Sequence, residues 1–261
     1  MICLAIFLLA FSNITNNENS ENFNQEYSED SEDADLALEN PDLFGGDIIG
    51  DFDDMRNAIP YRSHLWPGGI IPYVIDEELR NSKKSRLLIR RAMKTFREKT
   101  CIRFKPKTKE KTYVEILDDN QCYSMVGRSK GINFVSLTNE CMYLGAIIHQ
   151  LNHIVGFYHE QNRPDRDEYV EIVWENIKPK MESQFVMLRP NQMRILNEFD
   201  YHSIMLYGGR AFSKDRHSQT MVALKPGARL RSIKEKAGLS KSDVFRINTL
   251  YHCFNSTRNY K

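Results

Sequence analysis

The chain has 261 residues, 41% of them hydrophobic, enough apolar material for a sizeable core in one large domain or two small ones. Its formal net charge of +1 conceals a division. Fourteen of the 35 acidic residues lie between Glu18 and Arg56 beside a single arginine, which leaves 21 acidic against 35 basic residues beyond, a balance of about +14. No segment is apolar over the ~20 positions that a membrane helix needs, so no transmembrane span is expected.

The chain opens on a short apolar run, Met1 to Ser12, followed at once by polar, Asn-rich sequence. That pattern reads as a signal-peptide core and predicts a secreted, extracellular protein, for which nucleic-acid binding is not expected. Residues 13 to 56 read as an acidic propeptide. So charged a stretch, poor in large apolar side chains, does not bury enough surface to fold alone, and is expected to lie against the cationic remainder until removed. Asn13-Ile-Thr and Asn255-Ser-Thr match the glycosylation pattern, but Asn13 sits too near the expected cleavage point, leaving Asn255 as the candidate.

From residue 57 onward the pattern is that of a mixed α and β domain. Leu65 to Gly69 predicts a turn into a strand over Ile70 to Ile75. Leu88, Ile89, Ala92, Met93 and Phe96 recur at helical spacing between basic residues, predicting a helix from about Ser82 to Lys99 whose stripe is core. Ile102 to Phe104, Tyr113 to Leu117 and Ile132 to Leu137 alternate like strands. A helix is expected over Met142 to Val155, partial helix between Glu175 and Arg194, and a closing helix from Ser240, its cap, to Tyr251. The runs Lys105 to Lys111 and Lys225 to Lys236 supply basic charge, and each also fits an ordinary solvated face. No internal repeat is apparent.

The chemistry concentrates in His149 to Glu160, HQLNHIVGFYHE. A helix returns to one face every three to four residues, so His149 and His153 point two imidazoles at one ion. The chain then bends at Gly156 and delivers a third from His159. Zinc takes imidazole nitrogens at about 2.0–2.1 Å, and three protein ligands leave the fourth tetrahedral position open for water. Open coordination points to catalysis, whereas a closed four-ligand site points to structure.

The stretch HQLNHIVGFYHEQNRPDRD from His149 to Asp167, with Ser203-Ile-Met-Leu-Tyr207 downstream, resembles the astacin family of metzincin zinc proteases. The resemblance covers about Asn57 to Cys253 and implies an α+β, metzincin-like domain of two subdomains. A mixed twisted sheet and the zinc helix would form the N-terminal half, and an irregular C-terminal half would carry a Met-turn. One zinc ion per chain and an extended peptide or protein ligand in the cleft follow from it. In such proteins an edge strand near Ile132 to Leu137 pairs with substrate, although the pattern here fits a core strand equally. Met205 would pack beneath the imidazoles, and Tyr207 would stabilise the oxyanion. Phe44-Gly-Gly-Asp47 looks like the family's latency motif, with Asp47 in the open zinc position. An activating protease would cut after Arg56, and the new terminus at Asn57 would fold inward to Glu160, for which Arg163 or Arg166 is the alternative partner. Cys3 leaves with the leader, and of the three pairings open to the remaining four cysteines the resemblance selects Cys101 with Cys253 and Cys122 with Cys141.

Two positions depart from the family. Leu206 replaces a histidine near the turn, and Gln150 replaces the glutamate that serves as general base. Glutamine keeps the shape but has no usable acidity or basicity near neutral pH. The expectation is a zymogen-type metalloendopeptidase domain that binds zinc and peptide and cleaves slowly or not at all. The alternative is a secreted, non-catalytic pseudoprotease that binds protein segments or acidic extracellular polymers.

Overall fold

The structure is a computed structural model that describes residues 35–50 and 62–253. The leader 1–12, Asn13, Arg56, Asn57 and Asn255 lie outside the described residues.

Strand β1 (Ile70–Ile75) pairs in parallel with β2 (Arg103–Pro106) on one side and β3 (Tyr113–Leu117) on the other. Beyond β3 come β5 (Ile132–Ser136), also parallel, and β4 (Tyr123–Ser124), which runs antiparallel at the edge. Parallel strands carry their apolar side chains under covering helices. Two helices supply that cover: α2 (Lys83–Lys99), after the short α1 (Glu77–Asn81), and α3 (Leu144–Val155). Ile71, Val114, Ile116 and Val135 of the sheet join Ile89, Ala92 and Phe96 of α2 and Ile147, Leu151 and Ile154 of α3 in one core. The Ser82 hydroxyl accepts from the Ser85 N–H at 3.2 Å and caps α2.

Ile132–Ser136 is an interior strand, because β4 covers its outer side. The expectation of a substrate-pairing edge there is corrected: the edge is Tyr123–Ser124. Two residues are too few for an alternating pattern, which is why β4 left no trace in the sequence.

Helix α3 is buried from Gly145 to Val155, so its free C-terminal carbonyls need partners inside the protein. Each finds one. The Gly156 N–H donates to Asn152 and His153, the Trp66 indole to Ile154 at 2.8 Å, and the Tyr251 hydroxyl to Val155 at 2.7 Å. Gly156 takes φ +124°, a bend few side chains tolerate, and sends the chain back toward the helix.

After Gly156 regular structure thins to short 3₁₀ turns and the antiparallel pair β6 (Val170–Ile172) and β7 (Met221–Ala223). Of the helix expected between Glu175 and Arg194, only turns at Trp174–Asn176 and Glu182–Phe185 form. Helix α4 (Lys241–Leu250) closes the fold with a reciprocal cap between Ser240 and Asp243. Disulfides join Cys101 to Cys253, tying the end of α2 to the chain beyond α4, and Cys122 to Cys141, bracing β4 against the approach to α3. Among the described residues, no helix is long and apolar enough to cross a membrane.

Candidate metal centre

One turn of α3 separates His149 from His153, and both rings leave the same face. The bend at Gly156 brings His159 to meet them, so the three Nε2 atoms lie 3.1–3.2 Å apart. All three residues are fully buried. Their orientation is fixed from behind: His149 Nδ1 meets the Ile204 carbonyl at 2.8 Å and His153 Nδ1 the Phe157 carbonyl at 2.6 Å. With those protons on Nδ1, the Nε2 atoms of His149 and His153 turn lone pairs toward the point where His159 meets them. Burial lowers the His149 pKa to about 4 and lowers that of His159, which favours the neutral form of those two rings, the form that ligates a metal.

A fourth donor enters from residues 35–50. Phe44 and Ile48 pair across a tight hairpin whose tip is Gly45, Gly46 and Asp47. Gly45 and Gly46 take φ +62° and +94°, and an added Cβ would collide with His159 Nδ1 at the first or with the Leu38 carbonyl at the second. Only glycine allows so close an approach. Asp47 Oδ2 lies 2.9 Å from His149 Nε2, and Oδ1 lies 3.0 Å from His159 Nε2 and 3.4 Å from His153 Nε2. Burial raises the Asp47 carboxyl, and positive charge held at the three facing imidazoles outweighs it and draws the carboxyl well below its ordinary value.

This donor set fits zinc. Two ligands at ~2.0–2.1 Å around a tetrahedral ion are roughly 3.3 Å apart, close to the separations seen. Buried lone pairs converging without a proton between them repel unless a cation joins them, and Asp47 Oδ1 has no hydrogen-bond partner. Among the described residues, Asp47, His149, His153 and His159 are the group of such ligands that a metal would join.

Gln150, next to His149 on α3, faces the same spot. Its Nε2 donates to Asp47 Oδ2 at 2.5 Å, while its buried Oε1 has no partner. Tyr207 is fully buried beside His159, with ring centroids 4.6 Å apart, and its hydroxyl donates to the Leu38 carbonyl at 3.1 Å. Burial, then the charges of Asp47 and Asp35, raise its pKa well above the ordinary value and keep the phenol protonated. Met205 is buried in the turn 203–207, its carbonyl accepting from the Glu160 N–H at 2.9 Å.

The hairpin continues along the sheet edge. The Ser124 N–H donates to the Asp47 carbonyl at 2.9 Å and the Ile49 N–H to the Ser124 carbonyl at 3.0 Å, in the parallel sense. Residues 35–50 therefore lie in the cleft where a strand could pair with β4.

Glu160 is buried in a cluster of its own. Arg246 grips it with two contacts of 2.7 Å, Arg163 adds one at 3.1 Å, and the Asp200 N–H donates at 2.8 Å. Burial raises its pKa against those cations. Arg166 turns instead to Asp167 and to the Gln161 and Phe185 carbonyls. Arg246 and Asp243 escaped the sequence reading, since a lone charge on α4 carries no motif. Asp243 accepts from the Ser203 hydroxyl at 2.7 Å and the Ile204 N–H at 2.9 Å, fastening α4 to the turn whose carbonyl orients His149. The Lys225 to Lys236 run is not wholly a solvated face either, because Lys236 Nζ turns inward to the Leu206 carbonyl and burial lowers its pKa to about 8.

Comparison with known proteins agrees with this geometry. The family model for Astacin, a peptidase family, matches residues 58–252. The chain is 44% identical over 219 residues to Astacin-like metalloprotease toxin 1 of Loxosceles intermedia, covering 81% of each chain. It is 42% identical over 236 residues to Zinc metalloproteinase nas-15 of Caenorhabditis elegans, covering 87% of this chain and 40% of that protein. Among solved structures it resembles High choriolytic enzyme 1, a hatching enzyme zinc-protease from Oryzias latipes. That match has a TM-score of 0.65 at 36% identity and covers 79% of this chain and all of the other. With its pattern matched over most of its length and its histidines gathered on one point, the chain belongs to the astacin family of zinc metallopeptidases.

Proposed function

We propose that this chain is a secreted astacin-type domain, held latent by its own N-terminal segment, that binds zinc and extended peptides but has lost most of its capacity to hydrolyse them. The observation that carries the reading is the Gln150 amide standing where a proton carrier is needed, 2.5 Å from the Asp47 carboxylate.

Peptide hydrolysis needs a polarised carbonyl, a nucleophile and a proton for the departing amine. A bound zinc ion supplies the first and lowers the pKa of its water toward ~7. Gln150 can orient a water through its unpartnered Oε1, yet it can neither take up that water's proton nor return one to the leaving nitrogen. Tyr207, protonated and within the cleft, is suited to donate to an oxyanion once its bond to Leu38 is released. General acid-base transfer is worth about 10²- to 10⁴-fold, and one side chain would have served both directions.

Several features support latency. Asp47 closes the site, the segment 35–50 fills the cleft, and Asp35 accepts from the Ile233 N–H at 2.9 Å as a second anchor. An activating protease cutting after Arg56 would free Asn57 to approach Glu160, which borders a cavity of about 20 Å³, the size of a single water, lined by Tyr158, Arg194, Leu196 and Met205. In the non-catalytic form of the reading, the exposed Lys105, Lys109 and Lys111 offer a face for acidic extracellular polymers.

The test is zinc content and peptide cleavage by the protein processed after Arg56, beside Gln150→Glu. Stoichiometric zinc in both, with cleavage rising about 10²-fold or more in the variant, is the expected result. Equal, robust cleavage by the unmodified protein would remove the reading.

A further inference from the structure

Two observations at the metal centre bear on what Gln150 does as well as on what it has lost. Its Nε2 donates to a ligand carboxylate at 2.5 Å, and the acceptor, Asp47, is fully buried against the three imidazoles. A glutamate at this position would set two carboxylates face to face at that distance. Two acceptor-only groups share no hydrogen bond, so a glutamate here holds a carboxylate ligand less firmly than an amide donor does. The amide reverses the sign of that contact. It replaces a repulsion by a charge-assisted hydrogen bond, the stronger kind, between two fully buried side chains.

We propose that Gln150 makes this metal site a receptor for carboxylates, with Asp47 as its built-in ligand and the C-terminal carboxylate of a peptide as its ligand once Asp47 leaves. The proposal rests on the zinc-binding reading above. The peptide source follows from the position of β4: Ser124, whose N–H bonds the Asp47 carbonyl, also holds the Gln150 carbonyl through its hydroxyl at 3.2 Å. A chain paired with this edge therefore has its backbone beside the metal, where an end group can reach Gln150. A peptide that simply continues through the cleft offers a neutral carbonyl instead, and forgoes the charge-assisted contact.

The experiment uses the full-length chain carrying Asp47→Ala, loaded with Co²⁺ so that visible absorption reports the ligands, and titrated with acetate or acetamide. Acetate has the chemistry of a peptide C-terminus and the size of the deleted side chain. Saturable binding of acetate, little change with acetamide, and at least tenfold weaker acetate binding in Asp47→Ala/Gln150→Glu are expected. Asp47→Ala/Gln150→Ala, which loses the donor without gaining a charge, should fall between them. The unmodified chain, with Asp47 in place, should not respond to acetate. Acetate affinity unchanged by Gln150→Glu would overturn the proposal while leaving the metal site standing. Failure of the unmodified full-length chain to take up Co²⁺ would overturn the metal reading and the proposal with it.

Discussion

Asp243 is one buried carboxylate serving two elements. It accepts from the Ser240 N–H as part of the α4 cap, and from Ser203 and Ile204 in the turn beneath the metal site. Asp243→Ala strips all three donors of their acceptor. A lost cap costs about 0.5–2 kcal/mol and each stranded buried donor about 1–3 kcal/mol, so stability should fall by roughly 3 kcal/mol or more, measured by urea unfolding. Because the Ile204 carbonyl orients His149, zinc affinity should fall with it by about 10- to 100-fold. A loss under about 1 kcal/mol with unaltered zinc binding would show that the turn holds itself. Glu160 presents the opposite case, a buried anion between two arginines. Glu160→Gln leaves Arg246 without its counter-ion, whereas Arg163 retains Asp165 at 2.8 Å. A cost of about 3 kcal/mol is expected in the same assay, and a neutral result would mean that Arg246 escapes to water.

At the scale of elements, α3 is held less by its own sequence than by donors from distant parts of the chain. Trp66 and Tyr251 reach its last carbonyls from either end of the domain. Trp66→Phe keeps an aromatic ring but strands the Ile154 carbonyl, and should cost about 1–3 kcal/mol in thermal or denaturant unfolding. An unaffected midpoint would mean that another donor moves in. These partnerships mark the limit of what the sequence reveals. The regular elements were legible wherever apolar spacing repeats, as in Ile70–Ile75 and Lys83–Lys99, because burial on one face writes its period into the chain. The three histidines were legible for the same reason, a fixed spacing on one helix and its bend. The edge strand β4, the arginine at 246 and the inward turn of Lys236 were not. Each is set by long-range contact between segments without any local pattern.

For the whole molecule, the division of charge becomes a question of how tightly the acidic segment holds the cationic domain. Asp35 and Glu39 both dock against it, and burial raises their pKa values to about 6 and about 7. For Asp35 the Ile233 and Gly208 N–H groups and Lys236 oppose that rise, and for Glu39 the Phe212 backbone, Lys178 and Arg216 do so. A carboxyl whose pKa is higher in the docked state binds its proton more firmly there. Its contribution to docking is fully present below about pH 4 and is lost as pH rises through about 6 for Asp35 and about 7 for Glu39. Glu39 keeps part of its surface in solvent, which reduces the effect to an order of 2 kcal/mol. With the metal site loaded, cleavage of the chain between residues 50 and 62 by an added protease should release the segment faster at pH 8 than at pH 5, followed as dissociation of the cut piece. Glu39→Gln should flatten the upper part of that dependence, and Asp35→Asn the lower part. Release that is equally fast at both pH values in the unmodified protein would show that these two carboxyls stay ionised against the domain, held by Lys236, Lys178 and Arg216 strongly enough to cancel their burial.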